Sequence, residues 1–400
     1  MTLLEPILSR PWIGKWRASF IATCIFLTAI VVLFLPLWVG IKGRNLLGRC
    51  HPEEALESLE FALRFHPWWI QARNDACAAA RQAGKHKRAW YHLEKLEEQL
   101  GGISSLGVLH WEMIHASMGD LQIVETDLLD LWRRGGPESQ EIASALIEGY
   151  IRMFRLPDAL AVSGEWLTRN PESLRALVLR ADALYRSRSP DNAVEALLEV
   201  VRIDPDQTAS RLHLALSLLD KARYDEALKH LETLASIGPP DGLVESRRAR
   251  CLHMLGREKQ ARAVLNELIH SLPNDYRLYS TLGQIELLTG HDVEAESAFR
   301  KVLAIQESDY LGNFSLSQSL KRQGKADEAK KFQDRAEQIK SGLERLNEIT
   351  STAIAQRPLD PALHRELGKI YSTLGQEENA KRWKMSADRL EPAPNSPLLK

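Results

Sequence analysis

The sequence lacks the short motifs that mark most catalytic, cofactor-binding and metal-binding sites. It contains no G-x-x-x-x-G-K-[ST] run, no G-x-S-x-G, no H-E-x-x-H and no glycine-rich dinucleotide fingerprint. Its four cysteines form no C-x-x-C pair, which argues against a zinc site or a disulfide framework and predicts small buried thiols. His110 and His115 lie five positions apart, which is wrong for two ligands on one helical face. We therefore expect surface or half-buried histidines, no metal, no cofactor and no enzymatic activity.

The chain also lacks a charge excess of either sign. Its 52 lysines and arginines are balanced by 53 aspartates and glutamates, which gives a formal net charge of −1. Because no global excess points to nucleic acid, we expect no nucleic-acid partner. A hydrophobic share of 44% and a charged share of 26% fit a folded chain with a solvated outer face.

Two residue types recur at an interval of 34 positions over much of the chain. The alanine series is Ala159, Ala193, Ala227, Ala261, Ala295 and Ala329, and the prolines in the same phase are Pro171, Pro205, Pro239 and Pro273. A fixed period between about 20 and 50 residues is typical of stacked structural repeats. Since each repeat contacts only its neighbours, the period predicts a solenoid with a long surface for binding.

Residues 206–239 illustrate one repeat. Apolar residues between Leu212 and Leu219 predict a first helix with a wide apolar face, and a short polar turn follows. A second apolar pattern runs from Ala227 to Ala235 and stops before Pro239, which cannot continue a helix. The unit is therefore predicted as helix, turn, helix and stop.

These residues resemble the pattern of tetratricopeptide repeat (TPR) proteins. That pattern has a Leu-Gly pair and an aromatic residue in the first helix, glycine at the turn, alanine in the second helix and a closing proline. The matching residues are Tyr279, Leu282, Gly283, Gly290, Ala295 and Phe299, and again Leu367, Gly368, Tyr371, Gly375, Ala380 and Pro392. The resemblance implies an all-α, right-handed α-solenoid of about ten helix-turn-helix repeats over residues 40–394, with a disordered tail at 395–400.

The period fails in two places. Between Ala89 and Ala159 the step is 70 rather than 68, and the irregular unit between them carries Val124 where alanine is expected. After Ala329 the next unit starts late, and residues 326–357 predict one long helix. That helix either packs on its neighbours or protrudes and forms a homodimer through a coiled-coil seam.

The N-terminal region contains an uncharged apolar stretch at residues 18–39, after a short tail at 1–17. Its length is enough for one transmembrane helix, and tryptophans flank it. A cleaved signal peptide is the alternative, but the stretch is long and no A-x-A-like site follows. We expect a single-pass membrane protein with its repeats outside, which in a bacterium means the periplasm, although the flanking positive charges balance.

The resemblance also implies where a partner binds, because first helices line the concave groove of TPR arrays. The groove candidates carried over by position are Asp182, Tyr185, Arg250, His253, Gln284, Gln318, Lys321, Arg365 and Lys369. The later units are basic, which favours an acidic or C-terminal-carboxylate segment. The plainer interpretation is a solvated groove without a dedicated ligand. The Lys and Asn pattern of a two-carboxylate clamp is absent.

The sequence thus predicts a membrane-anchored scaffold that binds protein partners in a TPR groove. The alternative is a structural assembly factor of a cell-envelope complex that uses its convex face and its long helix.

Overall fold

Helices account for all the secondary structure in the residues that the computed structural model describes, 34–187 and 189–390. The chain divides into two compact units, one ending at Met118 (unit 1) and one beginning at Gly119 (unit 2). Successive helices pair through short turns in both units. The prediction of an all-α fold built from helix-turn-helix repeats is therefore confirmed within the described residues.

Unit 1 consists, in its described part, of helices that pack on their neighbours in chain order. They are α1 (residues 34–48), α2 (Pro52–Phe65), α3 (Ile70–Gln82), α4 (His86–Leu100) and α5 (Ser105–Met118). Leu56, Leu59 and Ala76 are fully buried between them, together with Cys77. Small side chains along α3 allow its two neighbouring helices to approach closely.

The prediction of a transmembrane helix at residues 18–39 is not supported. Residues 18–33 lie outside the described residues, and residues 34–39 open α1, a helix of a repeat. A Cβ on Gly40 would approach the Trp69 ring to 2.6 Å, so α1 packs directly against the residue that precedes α3. No helix of the described residues is long and apolar enough to cross a membrane. The prediction of a single-pass membrane localisation, with repeats on the outer side, is therefore corrected.

Unit 2 continues the hairpin pattern from a short 3-10 turn at Leu121–Ile123. Its helices are α6 (Glu125–Arg134), α7 (Ser139–Arg152), α8 (Leu156–Arg169), α9 (Leu174–Arg186), α10 (Pro190–Ile203), α11 (Thr208–Asp220), α12 (Tyr224–Ile237), α13 (Gly242–Met254), α14 (Glu258–Ser271), α15 (Tyr276–Leu288), α16 (Asp292–Ile305), α17 (Tyr310–Arg322), α18 (Ala326–Glu348), α19 (Ile354–Gln356), α20 (Pro361–Thr373) and α21 (Glu377–Leu390). From α7 to α17, odd-numbered helices are the first and even-numbered helices the second helix of each hairpin.

The alanine series marks the closest approach of the two helices in each hairpin. All six alanines are buried, with at most 1% of their surface exposed. The same crowding selects glycine on the facing helix, because a Cβ on Gly283 would lie 2.9 Å from the ring of Phe299. A larger side chain at either position would force the hairpin apart.

The predicted long helix is helical from Ala326 to Gln356 with one change of geometry. A π-helical turn at Ile349–Ala353 joins α18 to the short α19. Ile349 and Ile354 are both fully buried although they lie five positions apart, a spacing that the wider turn brings onto one face. α18 packs on α17 and α20 and buries Ala329, Ala336 and Ile339, and a homodimer through this helix gains no support.

Candidate protein-binding face

The first helices of consecutive hairpins in unit 2 lie side by side. α9 contacts α11, α11 contacts α13, α13 contacts α15 and α15 contacts α17. Since the period is 34 residues, equivalent positions on these helices form rows that run across them. We call this surface the first-helix face. It carries the predicted groove residues from Asp182 to Lys321.

Two rows one helical turn apart make up this face. The first row is Asp182, Leu216, Arg250, Gln284 and Gln318, and the second row is Arg186, Asp220, Met254, Leu288 and Arg322. Residues four positions apart on a helix are neighbours on one side of it. Met254 and Leu288 keep 48% and 70% of their surface exposed, so the second row offers apolar contacts between charged ends.

The α9 end of the face is held by internal contacts. Asp182 accepts from Arg186 Nε at 3.0 Å, and Tyr185 stacks on His213 with ring centroids 4.2 Å apart. Burial lowers the pKa of His213, while the nearby Asp182 carboxylate works in the opposite direction. Burial and the Asp220 carboxylate raise the pKa of the Tyr185 phenol. Asp182 and Tyr185 are therefore brought together beside the His213 imidazole, whose Nδ1 lies 3.7 Å from Asp182 Oδ1.

The α13 section of the face carries two arginines whose positive charge is partly offset by the Asp220 carboxylate on α11. Arg247 is half-buried, and its Nε has no hydrogen-bond partner in the described part of the chain. Burial and repulsion from Arg250 lower the pKa of the Arg247 guanidinium. Arg250 itself is exposed and makes no ion pair with any described residue. A carboxylate from a partner would find two adjacent guanidiniums here.

The remaining predicted residues differ in burial and in the hydrogen bonds that their side chains make. The buried Nδ1 of His253 lacks a hydrogen-bond partner among residues 34–187 and 189–390, and Gln284 and Gln318 are half-buried. Lys321 instead donates to Gln333 Oε1 on α18 at 2.6 Å, which turns it toward the long helix. Gln284 and Gln318 lie in the first row and His253 adjoins Met254 of the second row, whereas Lys321 contacts the long helix.

Arg365 and Lys369 lie on α20, after the break in the period. That helix packs on α18 and on α21. Arg365 is half-buried, Lys369 is exposed, and the charge of Lys369 helps to lower the pKa of Glu366. The two residues belong to the last hairpin rather than to the rows from α9 to α17.

Several contributors to this face are absent from the sequence-based set, among them Arg247, Met254 and Leu288. A usable signal existed, because Met254 and Leu288 lie four positions after two predicted residues, Arg250 and Gln284. Arg247 lies three positions before Arg250 and is found by the same helical spacing. The carried-over positions followed one line along each helix and missed the adjacent turns.

Histidine burial differs from the sequence-based expectation. His92, His110 and His364 are almost fully buried rather than exposed or half-buried. His110 Nε2 lies 2.7 Å from Asn74 Oδ1, and burial followed by the charge of Arg81 lowers the pKa of His110 to about 4. No group of three or more His, Cys, Asp or Glu side chains within the described residues could hold a metal ion.

Two known protein families match parts of the repeat region in unit 2. The family described as tetratricopeptide repeat matches residues 218–285, and the family described as anaphase-promoting complex, cyclosome, subunit 3 matches residues 152–234. Residues 218–285 therefore match the tetratricopeptide repeat pattern, which supports the predicted resemblance over that range. The membrane anchor predicted with it is not supported.

Several solved structures are similar to this chain. The human IFIT1 dimer with m7Gppp-AAAA is 16% identical over 81% of this chain and 90% of its own, with a TM-score of 0.41. PilW, a type IV pilus biogenesis factor, is 19% identical over 50% and 93%, with a TM-score of 0.44. A tetratricopeptide repeat protein from Parabacteroides merdae is 17% identical over 71% and 98%, with a TM-score of 0.38. At these scores the likeness carries no argument about function.

Proposed function

We propose that this protein is a non-catalytic scaffold whose first-helix face binds an extended segment of a partner protein. The segment carries acidic side chains that pair with Arg247 and Arg250, and apolar side chains that cover Met254 and Leu288. The partly buried Arg247 beside Arg250, with a buried Nε that has no hydrogen-bond partner in the described residues, is the observation that carries this proposal.

Charge complementarity favours an acidic segment over other occupants. A guanidinium that has lost part of its hydration gains more from a carboxylate than an exposed one does. The neighbouring positions supply hydrogen-bonding side chains at His253, Gln284 and Gln318, and the two acids of the rows, Asp182 and Asp220, lie on α9 and α11. An extended chain suits this arrangement, because the rows step from one helix to the next.

A peptide display selection on the full chain tests the proposal directly. The selected peptides should be enriched in Asp and Glu interspersed with apolar residues. Arg250→Glu should weaken their binding by about tenfold or more, because reversal replaces an attraction by a repulsion. Arg202→Glu is the matched control, since Arg202 is an exposed arginine on the second helix α10. Selected peptides without acidic enrichment, or equal loss in both variants, would overturn the proposal.

Leucine 288 provides a second test that does not depend on charge pairing. Leu288 and Val293 are both apolar and 70% and 66% exposed, but Leu288 ends a first helix whereas Val293 belongs to the second helix α16. Leu288→Asp should weaken the selected peptides by about tenfold, and Val293→Asp should leave their Kd unchanged. Equal effects of the two changes would argue against the first-helix face.

A further inference from the structure

The start of α17 presents an apolar surface beside the residues already assigned to partner binding. Leu311 and Phe314 keep 47% and 38% of their surface exposed, and they lie three positions apart on one side of the helix. The Tyr310 ring stacks on that of Phe314, with ring centroids 5.8 Å apart and planes inclined by 15°. We call Tyr310, Leu311 and Phe314 the α17 patch, because these three large side chains together face solvent at this end of the helix.

The α17 patch continues the rows of the first-helix face. Phe314 lies four positions before Gln318, which belongs to the first row, so the two side chains are neighbours on one side of α17. α17 contacts α15, and α15 contacts α13. The face therefore runs from the arginines of α13, across Leu288 on α15, to the patch on α17.

The backbone beneath the α17 patch is fixed by hydrogen bonds and packing. Asp309 Oδ1 accepts from the Gly312 backbone N–H at 2.5 Å. Asn313 Nδ2 donates to the carbonyl oxygens of Glu307 and Asp309, at 3.0 and 2.8 Å. A Cβ on Gly312 would lie 2.9 Å from Val302 Cγ1, so α17 begins tightly packed on α16. Because this start of the helix is already ordered, a ligand that binds there loses little free energy to ordering it.

The charges along the face limit where an acidic residue of a partner can bind. The two acids of the rows lie on α9 and α11 and would repel it, whereas Arg250 on α13 is exposed. On α17, Arg322 Nη1 lies 3.4 Å from Asp292 Oδ1, and Lys321 donates to Gln333 Oε1 at 2.6 Å. Charge thus favours an acidic side chain over α13, and the exposed apolar residues favour apolar side chains over α15 and α17.

The distance between helices converts this order into a spacing along the partner segment. Packed helices lie about 8–10 Å apart, and an extended chain advances about 3.3 Å per residue. One step between contacting first helices therefore corresponds to about three residues of an extended segment. The step from Arg250 on α13 to Phe314 on α17 spans two such intervals, or about six residues.

We infer that the α17 patch is an anchor site for an aromatic side chain that lies about six residues from the acidic residue bound by Arg250. An aromatic side chain suits the patch, because it can pack offset or edge-on against the rings of Tyr310 and Phe314. This inference rests on the function proposed above and specifies its partner more closely. The bound segment carries an acidic residue, an apolar residue about three positions away over Leu288, and an aromatic residue about six positions away.

Serine-rich peptides that contain one glutamate, one leucine and one tryptophan test this spacing by fluorescence anisotropy with the full chain. In two matched peptides, leucine and tryptophan lie about three and six positions from glutamate, after it in one peptide and before it in the other. In the shuffled peptides, of the same composition, tryptophan lies directly beside glutamate. One matched peptide should bind at least about tenfold tighter than its shuffled form, because only its spacing covers α13 and the α17 patch together.

Variants of the α17 patch test the same site from the side of the protein. Leu311→Ser and Phe314→Ala should each weaken the matched peptide by about tenfold, because its tryptophan loses an apolar contact. Leu198→Ser is the matched control and should leave the Kd unchanged, since Leu198 is 44% exposed but lies on the second helix α10. An unchanged thermal unfolding midpoint shows that each variant is folded, and the comparison of matched with shuffled peptides requires no variant.

The shuffled peptide distinguishes failure of the anchor site from failure of the proposed function. It keeps its glutamate, so Arg250→Glu should weaken its binding at high peptide concentration, whereas Phe314→Ala should not. Equal binding of matched and shuffled peptides would overturn the anchor site alone, and so would a matched peptide that responds to Arg250→Glu but not to Phe314→Ala. If Arg250→Glu weakens neither peptide, both proposals are wrong.

Discussion

In several helical hairpins of unit 2, the turn between the two helices contains one residue with a left-handed backbone conformation. Gly256, Gly290 and Gly324 occupy this turn with φ between 75° and 84°, but Phe154 and Ala222 hold the equivalent place at φ 59° and 55°. Left-handed backbone costs a residue with a Cβ roughly 1–2 kcal/mol, whereas glycine adopts it freely. The turns at Phe154 and Ala222 therefore retain local strain.

Replacement of Ala222 by glycine should stabilise unit 2. We expect the free energy of unfolding in urea to rise by about 1 kcal/mol, since the relief of strain exceeds the added chain entropy. The reverse change at the equivalent turn, Gly256→Ala, should lower it by a similar amount. Destabilisation by Ala222→Gly would contradict the assignment of strain to this turn.

The buried His110 predicts a loss of stability in unit 1 under mildly acidic conditions. Its folded pKa of about 4 lies below its ordinary value of 6.5 because burial disfavours the imidazolium. The unfolded chain therefore binds a proton first, and stability falls as pH drops from about 6.5 toward 4.

Comparison of the unchanged protein with His110→Gln isolates this contribution. Between pH 7 and pH 4, the unfolding free energy of the unchanged protein should fall by roughly 2–3 kcal/mol relative to that of the glutamine variant. Amide hydrogen exchange in α5 as a function of pH measures it. A difference that stays constant over this range would show that folding does not lower the pKa of His110.

At the scale of single residues, burial of the alanine series could be predicted but histidine burial could not. The 34-residue interval defines where two helices touch, so Ala227 and Ala261 had to be small and buried. His110 shows no such regularity. Its burial depends on a contact with Asn74 from another helix, and no local pattern in the sequence predicts that contact.

At the scale of elements, a cluster of charges joins the hairpin of α15 and α16 to the following helices. Glu296 on α16 accepts from Lys325 at 2.7 Å, from Arg300 at 2.9 Å and from Gln323 at 2.8 Å. The Lys325 hydrogen bond is the main reason that the pKa of Glu296 falls to about 2.

Glu296→Gln should weaken this junction in a pH-dependent way. The depressed folded pKa means that the carboxylate stabilises the fold above pH 4.5 and loses this effect as pH falls toward 2. We expect a destabilisation of about 1–2 kcal/mol at pH 7. This is less than the free energy that corresponds to the full pKa shift of Glu296, because Lys325 and Arg300 are solvent-exposed. Hydrogen exchange in α16 measures it. An effect of equal size at pH 7 and pH 2.5 would rule out a charge-based cause.

The long helical segment illustrates what a sequence pattern can and cannot predict about an element. The absence of proline from residues 326–356 predicts helix throughout that range, and Ala326–Gln356 is helical. The π-helical turn at Ile349–Ala353 was not predicted. It depends on both Ile349 and Ile354 finding buried positions, which a period near three and four residues does not reveal.

At the scale of the whole molecule, the sequence predicted one solenoid and the structure gives two compact units. Their boundary at Met118 and Gly119 lies inside the unit that already broke the period by two residues. The predicted irregularity thus coincides with the boundary between the two units. The sequence alone could not show that a boundary between units lies here, because an inserted turn would also lengthen the step between repeats.

The candidate binding face could be located in outline from the repeat pattern alone. The positions of row residues such as Arg250 and Gln284 follow from the period. The contacts that each side chain makes depend on its neighbours in the folded protein. Lys321 is taken up by Gln333, whereas Arg247 gains its importance from partial burial. A set of positions is therefore predictable, and the charge balance that selects a partner is not.

Photo-crosslinking on the two matched apolar positions tests the central claim most directly. A photoreactive residue at Leu288 on the first-helix face should crosslink to a bound acidic, apolar peptide from the display selection. The same residue at Val293 on α16 should give no crosslink above background, although the two side chains are comparably exposed. Crosslinking at Val293 with none at Leu288 would contradict the account and move the binding surface to the second helices.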